Sequence, residues 1–505
     1  GAIRGMGTGV LGALGSVQVM GLQPQQMSTL SSAQVGVLGA GVFVALSDKQ
    51  LGALSVDAIG GLAPVALGAM RSTQVVGLTS AQVRVLSGEQ VGALGTGALR
   101  ALSVTQVKVL GSEQVAGLGS GQLRVLSGEQ VGSLSTGAFL GLGTEQVVAL
   151  TSVQLAGLGS AQLRVLSGEQ VGAIEAGAIK GLNAAVIGAF GSGQLAALRP
   201  EQALGMSSVQ IGSISSGAIR GMGTGVLGAL GSVQIAGLSS LQVKGLAAEQ
   251  VAGLGIGAVR AMSSAQLRAF ESHQVAGLGS EQLRALSPVQ IGGISTSAVA
   301  GLATDQIAAF GSAQASGLVF AQVRAMSGEQ LGAIDANIVS KISTAALAGL
   351  VSGQPGQVAA LSSVQVGTLT ADQVRGLNAD QVGAVSVAAL RALSSEQVRV
   401  LGSEQVGGLS GDQLRALNTV QVGGFTTGAL AGLSTGQVES LSSVQLSGLR
   451  STQVRALRSE QVAALSTDGL KGLGVATMVG FGSEHVAALE IGQVAALTAG
   501  QLSGL

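Results

Sequence analysis

Cysteine, tryptophan and tyrosine are absent from the 505 residues of this sequence. The absence of cysteine excludes disulfides and thiolate chemistry. Without tryptophan and tyrosine, the chain lacks the side chains that most often anchor interfaces or stack on bases and sugars. Charged residues make up 10% of the chain, with 25 basic and 25 acidic residues and a net charge of zero, where about 25% charged is usual. The sequence therefore predicts no electrostatic attraction to nucleic acid or to an anionic membrane.

Long apolar runs are also missing, although 47% of the residues are apolar and the mean hydropathy is +0.54. A serine, glutamine or charged residue interrupts nearly every stretch of eight residues. A membrane-spanning helix needs about 20 consecutive apolar residues, so no membrane span is predicted. The apolar content instead indicates a continuous hydrophobic core.

An eight-residue repeat, or octad, organises the chain. The stretch Ser127 to Leu166 reads SGEQVGSL STGAFLGL GTEQVVAL TSVQLAGL GSAQLRVL. Position 1 is mostly Ser, Gly or Thr, position 4 is mostly Gln, and positions 5 and 8 are apolar. Octads run from the N-terminus to Leu350 and again from Ser362 to Leu505. Because an internal repeat determines the whole architecture, the other features are interpreted in its frame.

Each octad predicts one short helix with its own cap. Proline is favoured at the first helical residue, and four of the five prolines occupy position 2. Ser-x-x-Gln is a capping box, in which the Ser oxygen accepts from the Gln amide while the Gln side chain accepts from the Ser amide. Acidic residues favour position 3 and basic residues position 6, so the pair Glu281 and Arg284 is expected to meet across one turn. One continuous helix is excluded, because an eight-residue period does not keep to one helix face.

Two series of residues repeat every 40 residues, or five octads. In the first, Ala replaces Gln at position 4; in the second, position 6 is basic. Two unrelated series with one period predict that residues 40 apart stack, so the predicted fold is an all-α repeat solenoid with five octads per superhelical turn. The alanine series is the candidate assembly seam between neighbouring molecules: Ala98, Ala138, Ala178, Ala218 and Ala258. The basic series is the candidate basic stripe: Arg84, Arg124, Arg164, Lys244, Arg284, Arg324, Arg375, Arg415 and Arg455.

A β-solenoid is the alternative fold. At about 3.3 Å per residue, a 40-residue β turn would measure about 130 Å around, and one Val and one Leu per side could not fill its interior. Short helices rise only about 1.5 Å per residue and enclose a much smaller lumen. The helical solenoid is therefore favoured over the β-solenoid.

The domain organisation follows the octad phase. Residues 1–350 form one octad tract, in which residues 1–61 are out of phase with the 40-residue frame. Residues 351–361 are an irregular insertion that begins VSGQPGQ and shifts the phase by three, and residues 362–505 continue the octads. The insertion is interpreted as a loop that is either a tolerated insertion or a hinge or ligand loop. Because Gly1 opens in the middle of an octad, we expect either a segment of a longer repeat polypeptide or a processed product, with any targeting signal outside it.

The sequence offers no constellation for chemistry. His273 and His485 are the two histidines, and neither has a Cys, His or acidic partner at the spacing of a metal site or a catalytic pair. We therefore predict no catalytic, cofactor-binding or metal residues, no cofactor and no enzymatic activity. The basic stripe has two interpretations: a solvated rim paired with position-3 carboxylates, or a binding surface.

Tracts of Ser/Thr-x-x-Gln-Val-x-Ala-Leu octads over essentially the whole chain resemble those in very large secreted or surface proteins of Gram-negative bacteria. The resemblance implies an extracellular or cell-surface setting and a structural or adhesive role, and it transfers no site residue. The leading hypothesis is a structural protein that self-associates into a rod, fibre, sheath or surface-layer filament. The alternative is an elongated stalk that binds an extracellular partner such as a polysaccharide.

Overall fold

The computed structural model describes residues 2–352 and 356–505 of the chain. Within these residues, 60 α-helices and two 3-10 helices, Ile3–Gly5 and Ile219–Gly221, account for all regular structure, and no strand is present. The all-α repeat solenoid is confirmed, and the β-solenoid is excluded. None of the helices in this part of the chain has the length and apolarity that a membrane crossing requires.

Every α-helix begins at position 2 of its octad and ends at position 5, 6 or 7, so the octad frame gives all the helix bounds. The first is Thr8–Gly12 and the last is Ala499–Leu502. In between, a regular run is Ser80–Arg84, Gly88–Gly92, Thr96–Ala101, Val104–Val107 and Ser112–Ala116. The run that follows residue 361 is Ser363–Gly367, Ala371–Arg375, Ala379–Gly383, Val387–Arg391, Ser395–Arg399, Ser403–Gly407, Gly411–Ala416, Thr419–Val422, Thr427–Ala431 and Thr435–Glu439.

Reciprocal caps fix these helix starts, as the sequence predicts. In the octad that begins at Ser127, the Gln130 amide donates to Ser127 Oγ at 3.1 Å, and the Ser127 amide donates to Gln130 Oε1 at 2.7 Å. Proline stands at the first helical position of the helix Pro288–Gly293, where its missing N–H leaves no hydrogen bond unmade. The capping box thus separates helices in octads with Ser and Gln at positions 1 and 4, whereas in the octad of Ala138 the Ser135 hydroxyl alone closes the helix start.

The chain divides into two units, residues 1–261 and 262–505, and the same stacking is found inside each. In the first unit, helix Gly88–Gly92 packs against Ser112–Ala116, three octads further on. In the second unit, Ser403–Gly407 packs in the same way against Thr427–Ala431. Glutamine side chains bond to backbone carbonyls 28 to 31 residues earlier, in the fourth octad back. One turn of the coil therefore takes between three and four octads.

The predicted turn of five octads is wrong. In regular turns, side-chain and backbone groups that bond between turns lie 25 to 31 residues apart, as in the Ser80 hydroxyl with the Thr105 carbonyl and Gln114 with Leu86, and across the block 351–361 they lie at most 34 apart. The physical reason is the volume of the lumen. Each octad supplies two large apolar side chains, at positions 5 and 8, and a ring of five octads would enclose more space than these fill at the packing density of a protein core.

Positions 5 and 8 form the core in both units. Val115 and Leu118 are 0% and 2% exposed, and Val406 and Leu409 are 0% and 3% exposed. Position 7 lies where turns touch: a Cβ on Gly117 would stand 2.1 Å from the Gly88 carbonyl oxygen. Real Cβ atoms do not approach backbone that closely, so position 7 of this octad requires glycine.

The block 351–361 is an octad with three residues added inside its cap. The Val351 amide donates to Gln357 Oε1 at 2.7 Å across six residues, where a regular octad spans three. Gln357 Nε2 then donates to the Arg324 carbonyl at 3.1 Å, so this glutamine still reaches the preceding turn. Residues 353–355 of the predicted loop lie outside the described residues.

Candidate functional site

The position-4 glutamines form the most regular polar feature of the molecule, here called the glutamine lattice. Gln114 shows its geometry: Oε1 accepts from the Gly111 amide at 2.8 Å, and Nε2 donates to the carbonyls of Val83 and Leu86 at 2.8 and 2.7 Å. The Gln114 residue is 5% exposed. One side chain therefore closes a helix start in its own octad and the end of a helix one turn earlier.

The lattice satisfies backbone groups that helices of four to six residues leave open. The first N–H groups and last C=O groups of each helix have no partner within it, and the short helices of this coil consist almost entirely of such ends. A buried polar group without a partner costs about 1 to 3 kcal/mol. Among the described residues, no buried side-chain nitrogen or oxygen lacks a hydrogen-bond partner. The lattice is thus a structural element in which the buried side-chain donors and acceptors are already hydrogen-bonded within the chain.

His485 takes the place of a lattice glutamine, as the sequence indicates. The Gly482 amide donates to Nδ1 at 3.2 Å, and Nε2 lies 2.7 Å from the Leu457 carbonyl. The residue is 6% exposed. Thr477 keeps half of the same pattern, because its hydroxyl donates to the Leu449 carbonyl at 3.1 Å. Both replacements preserve the bond to the preceding turn, which shows that this bond belongs to the position.

The residues of the candidate assembly seam lie inside the coil. Ala98, Ala138, Ala178, Ala218 and Ala258 are between 0% and 8% exposed. The amide of Ala138 bonds to the Ser135 hydroxyl at 3.1 Å, so serine alone closes this helix start. Because these alanines are buried, a contact with a neighbouring molecule would have to use the exposed residues beside them. Association along this series stays a prediction.

The residues of the candidate basic stripe are all exposed. Three of them bind a carboxylate one helical turn away: Arg284 with Glu281 at 3.3 Å, Arg375 with Asp372 at 2.8 Å and Arg415 with Asp412 at 2.9 Å. For these three, the interpretation as a solvated, paired rim is supported. The stacking of residues 40 apart, from which the stripe was inferred, is wrong, so a binding surface along the series stays a prediction without that support.

The remaining histidine lies at the surface. His273 Nδ1 is 3.7 Å from a carboxylate oxygen of Glu271, and both side chains are about half exposed. In the part of the chain that the structure describes, no group of three or more His, Cys, Asp or Glu side chains is placed to hold a metal ion.

The sequence did not predict the bonds from each glutamine Nε2 to backbone carbonyls of the preceding turn, which join successive turns. One signal pointed to them: octads that begin with Gly, such as those of Gly111 and Gly143, keep Gln at position 4 although no hydroxyl is present to complete the capping box. A glutamine retained there has a further acceptor to reach. Its acceptors are backbone carbonyls, which every residue carries, so no side-chain pattern marks them.

A sequence model of the ALTTAQ repeat matches nine segments that together cover more than half of the chain. The matched residues are 66–96, 91–120, 115–152, 141–176, 251–288, 278–312, 380–411, 408–443 and 438–467. No curated protein matches the chain.

Similarity to solved structures is weak. A chain from a homology model of the full-length AP-3 complex in an intermediate open conformation is 13% identical, with 96% of this chain and 84% of that chain covered and a TM-score of 0.19. APUM23 with GGAGUUGACGG is 12% identical, with 92% and 90% covered and a TM-score of 0.16. Similarity at this level carries no argument about function.

Proposed function

Because the chain belongs to the ALTTAQ repeat family, and because no buried polar side-chain atom among its described residues lacks a hydrogen-bond partner, we propose that it is a structural protein. In this proposal the molecule associates with further copies into a rod, fibre, sheath or surface-layer filament outside the cell or at its surface. The observation that carries the proposal is the glutamine lattice, which repeats through both units without converging on a site. No catalysis is proposed.

Exposed apolar residues at position 3 support association between copies. Val209, Val233 and Leu241 belong to the first unit and are 66% to 70% exposed. The octads of Val209 and Val233 are three apart, and those of Val233 and Leu241 are adjacent along the chain. Octads at these spacings are neighbours in the coil. Solvent-exposed apolar groups that lie near one another favour burial in a contact. A second copy of the chain is the partner we propose for them.

The test replaces these three residues together: Val209→Glu, Val233→Glu and Leu241→Glu. Position 3 carries glutamate in many octads, as at Glu113 and Glu129, so the coil should fold unchanged. The matched control puts the same three charges at exposed position-3 sites that lack an apolar side chain, Thr73→Glu, Thr105→Glu and Gly121→Glu.

The readout is sedimentation velocity over a range of concentrations, with electron micrographs of the same samples. We expect the unaltered chain and the control to associate and the apolar-site variant to remain monomeric. Equal association of both variants would show that these residues are not the contact. A monodisperse unaltered chain would instead favour the alternative of a stalk that binds an extracellular partner such as a polysaccharide.

A further inference from the structure

The three added residues lengthen one circuit of the coil in the second unit, and residues 356–393, which follow them, are here called the widened turn. Gln365 and Gln373 bond to the carbonyls of Ile334 and Ile342 at a separation of 31 residues, where the regular separation is 28. Gln397 returns to 28, with its bond to the Leu369 carbonyl at 2.7 Å. The lattice is therefore preserved across the insertion, and the additional residues lengthen one circuit of the coil.

The core of this widened turn is less tightly covered than the core beyond it. The closing residues Leu361, Leu369, Leu377, Val385 and Leu393 are 6% to 8% exposed. Their equivalents in the following octads, Leu401, Leu409, Leu417 and Leu433, are 0% to 4% exposed. Because both groups occupy the same position of the octad, the difference reflects the space around them.

A cavity of about 20 Å³ lies beside these closing residues. Its lining is entirely apolar and includes Leu350, Leu361, Leu369, Leu377, Val385 and Leu393. Val385 is the only valine at a closing position in the sequence, where Leu, Ile, Met or Phe stands otherwise, so this octad adds the smallest side chain where the lumen is widest. With no polar partner for water, such a space stays dry, and its walls lose packing contacts.

We propose that the widened turn, residues 356–393, is a built-in yielding point at which the second unit opens before its regular turns do. The cavity is far smaller than the roughly 150 Å³ that holds a benzene molecule, so its consequence is mechanical and not the binding of a ligand. Each turn is stabilised by its contacts with adjacent turns, and a turn with fewer packing contacts opens at lower cost. The proposal does not depend on association between copies.

Hydrogen–deuterium exchange of the full chain, followed by mass spectrometry, tests the proposal. We expect amides of the helices Ala371–Arg375 and Ala379–Gly383 to exchange about tenfold faster than those of Ser403–Gly407 and Gly411–Ala416. Val385→Leu restores the usual closing residue and should slow exchange in the widened turn by about fourfold through one added buried methylene. The matched control Leu409→Val removes a methylene from a regular octad and should speed exchange there.

The outcomes separate cleanly. Faster exchange in the widened turn that Val385→Leu reduces supports the yielding point. Equal exchange in the two sets of helices overturns it. Fast exchange that Val385→Leu leaves unchanged, while Leu409→Val produces its expected effect, also overturns it, because the cavity is then not the cause of the opening.

Discussion

The widened turn at residues 356–393 and the regular turns that follow it use the same hydrogen bonds with different packing. Gln373 bonds to two carbonyls of the preceding turn and Gln437 to three. Yet the closing residue of the first octad, Leu377, is 8% exposed and that of the second, Leu441, is 3% exposed. The comparison shows that the lattice determines how turns stack, whereas the volume of the apolar side chains determines how many residues a turn can hold.

The same comparison explains why a 40-residue turn does not form. Three additional residues are enough to open a cavity of about 20 Å³. A turn enlarged by a further nine residues or so would enclose a lumen that two aliphatic side chains per octad leave largely empty, and unfilled core volume costs about 24 cal/mol per Å³. The 40-residue period of the sequence therefore records how octads recur along the chain and not the geometry of the coil.

The largest expected effect comes from moving an insertion. Gly-Ser-Gly placed after Ser434, inside a regular cap, imitates the arrangement between Val351 and Gln357, and we expect the second unit to fold with reduced stability. The same tripeptide placed after Gln437 separates the lattice residue from the core residue Val438, which is 1% exposed. That variant should lose more than about 4 kcal/mol, because the cap and the core can no longer be satisfied together.

Thermal unfolding followed by far-ultraviolet circular dichroism measures both insertions. The unaltered chain provides the reference, and a variant with Gly-Ser-Gly after Leu505 controls for the added residues. If the two internal insertions lowered the midpoint equally, the cap would have no special tolerance for additional residues, and the account of block 351–361 would be wrong.

The next effect tests whether the lattice is equally strong in the two regions. Gln373→Ala and Gln437→Ala each leave one helix-start amide without its partner, together with two carbonyls at Gln373 and three at Gln437. We expect each to lower the free energy of unfolding by about 2 to 4 kcal/mol, with less than about 1 kcal/mol between them. Chemical denaturation provides the measurement. A much smaller loss at Gln373 would show that the widened turn has a weaker lattice as well as looser packing.

Most of the local structure was predictable from the sequence because local chemistry decides it. Proline at position 2 and Ser-x-x-Gln fix where each helix begins, and the structure confirms these starts. The number of octads per turn was not predictable from the 40-residue series, because the period of a sequence pattern does not show which residues are in contact. Only the capping half of the lattice was predictable, because the cap lies within one octad. The carbonyls that accept from the glutamine Nε2 lie 28 to 31 residues away, and no sequence feature distinguishes one backbone carbonyl from another.

A smaller effect distinguishes contacts with backbone from contacts with a movable side chain. A Cβ on Gly432 would stand 2.6 Å from Cα of Ser403, whereas a Cβ on Gly376 would stand 2.3 Å from the methyl of Thr344. Backbone cannot give way, so Gly432→Ala should cost about 1 to 3 kcal/mol. Gly376→Ala should cost less than about 1 kcal/mol, because the threonine can change rotamer at that cost.

The measurement is again chemical denaturation, with Thr344→Ser as the control for the second site. Thr344→Ser removes the methyl that a new Cβ would meet, so the double variant with Gly376→Ala should recover the stability of Thr344→Ser alone. Equal losses for Gly432→Ala and Gly376→Ala would contradict the difference in packing between regular and widened turns.

The smallest effect concerns surface charge, which should not respond to the width of the lumen. Arg375 pairs with Asp372 in the widened turn, and Arg415 pairs with Asp412 in a regular one, at 2.8 and 2.9 Å. All four side chains are at least 60% exposed, and exposed pairs of this kind contribute about 0.2 to 1 kcal/mol. Arg375→Gln and Arg415→Gln should therefore each lower the free energy of unfolding by no more than about 0.5 kcal/mol, and 1 M salt should abolish both losses by screening. A loss at Arg375 that is several times larger and persists in salt would mean that the arginine stem packs over the widened turn and partly compensates for its cavity, so that the outer surface, and not the core alone, would distinguish the two regions.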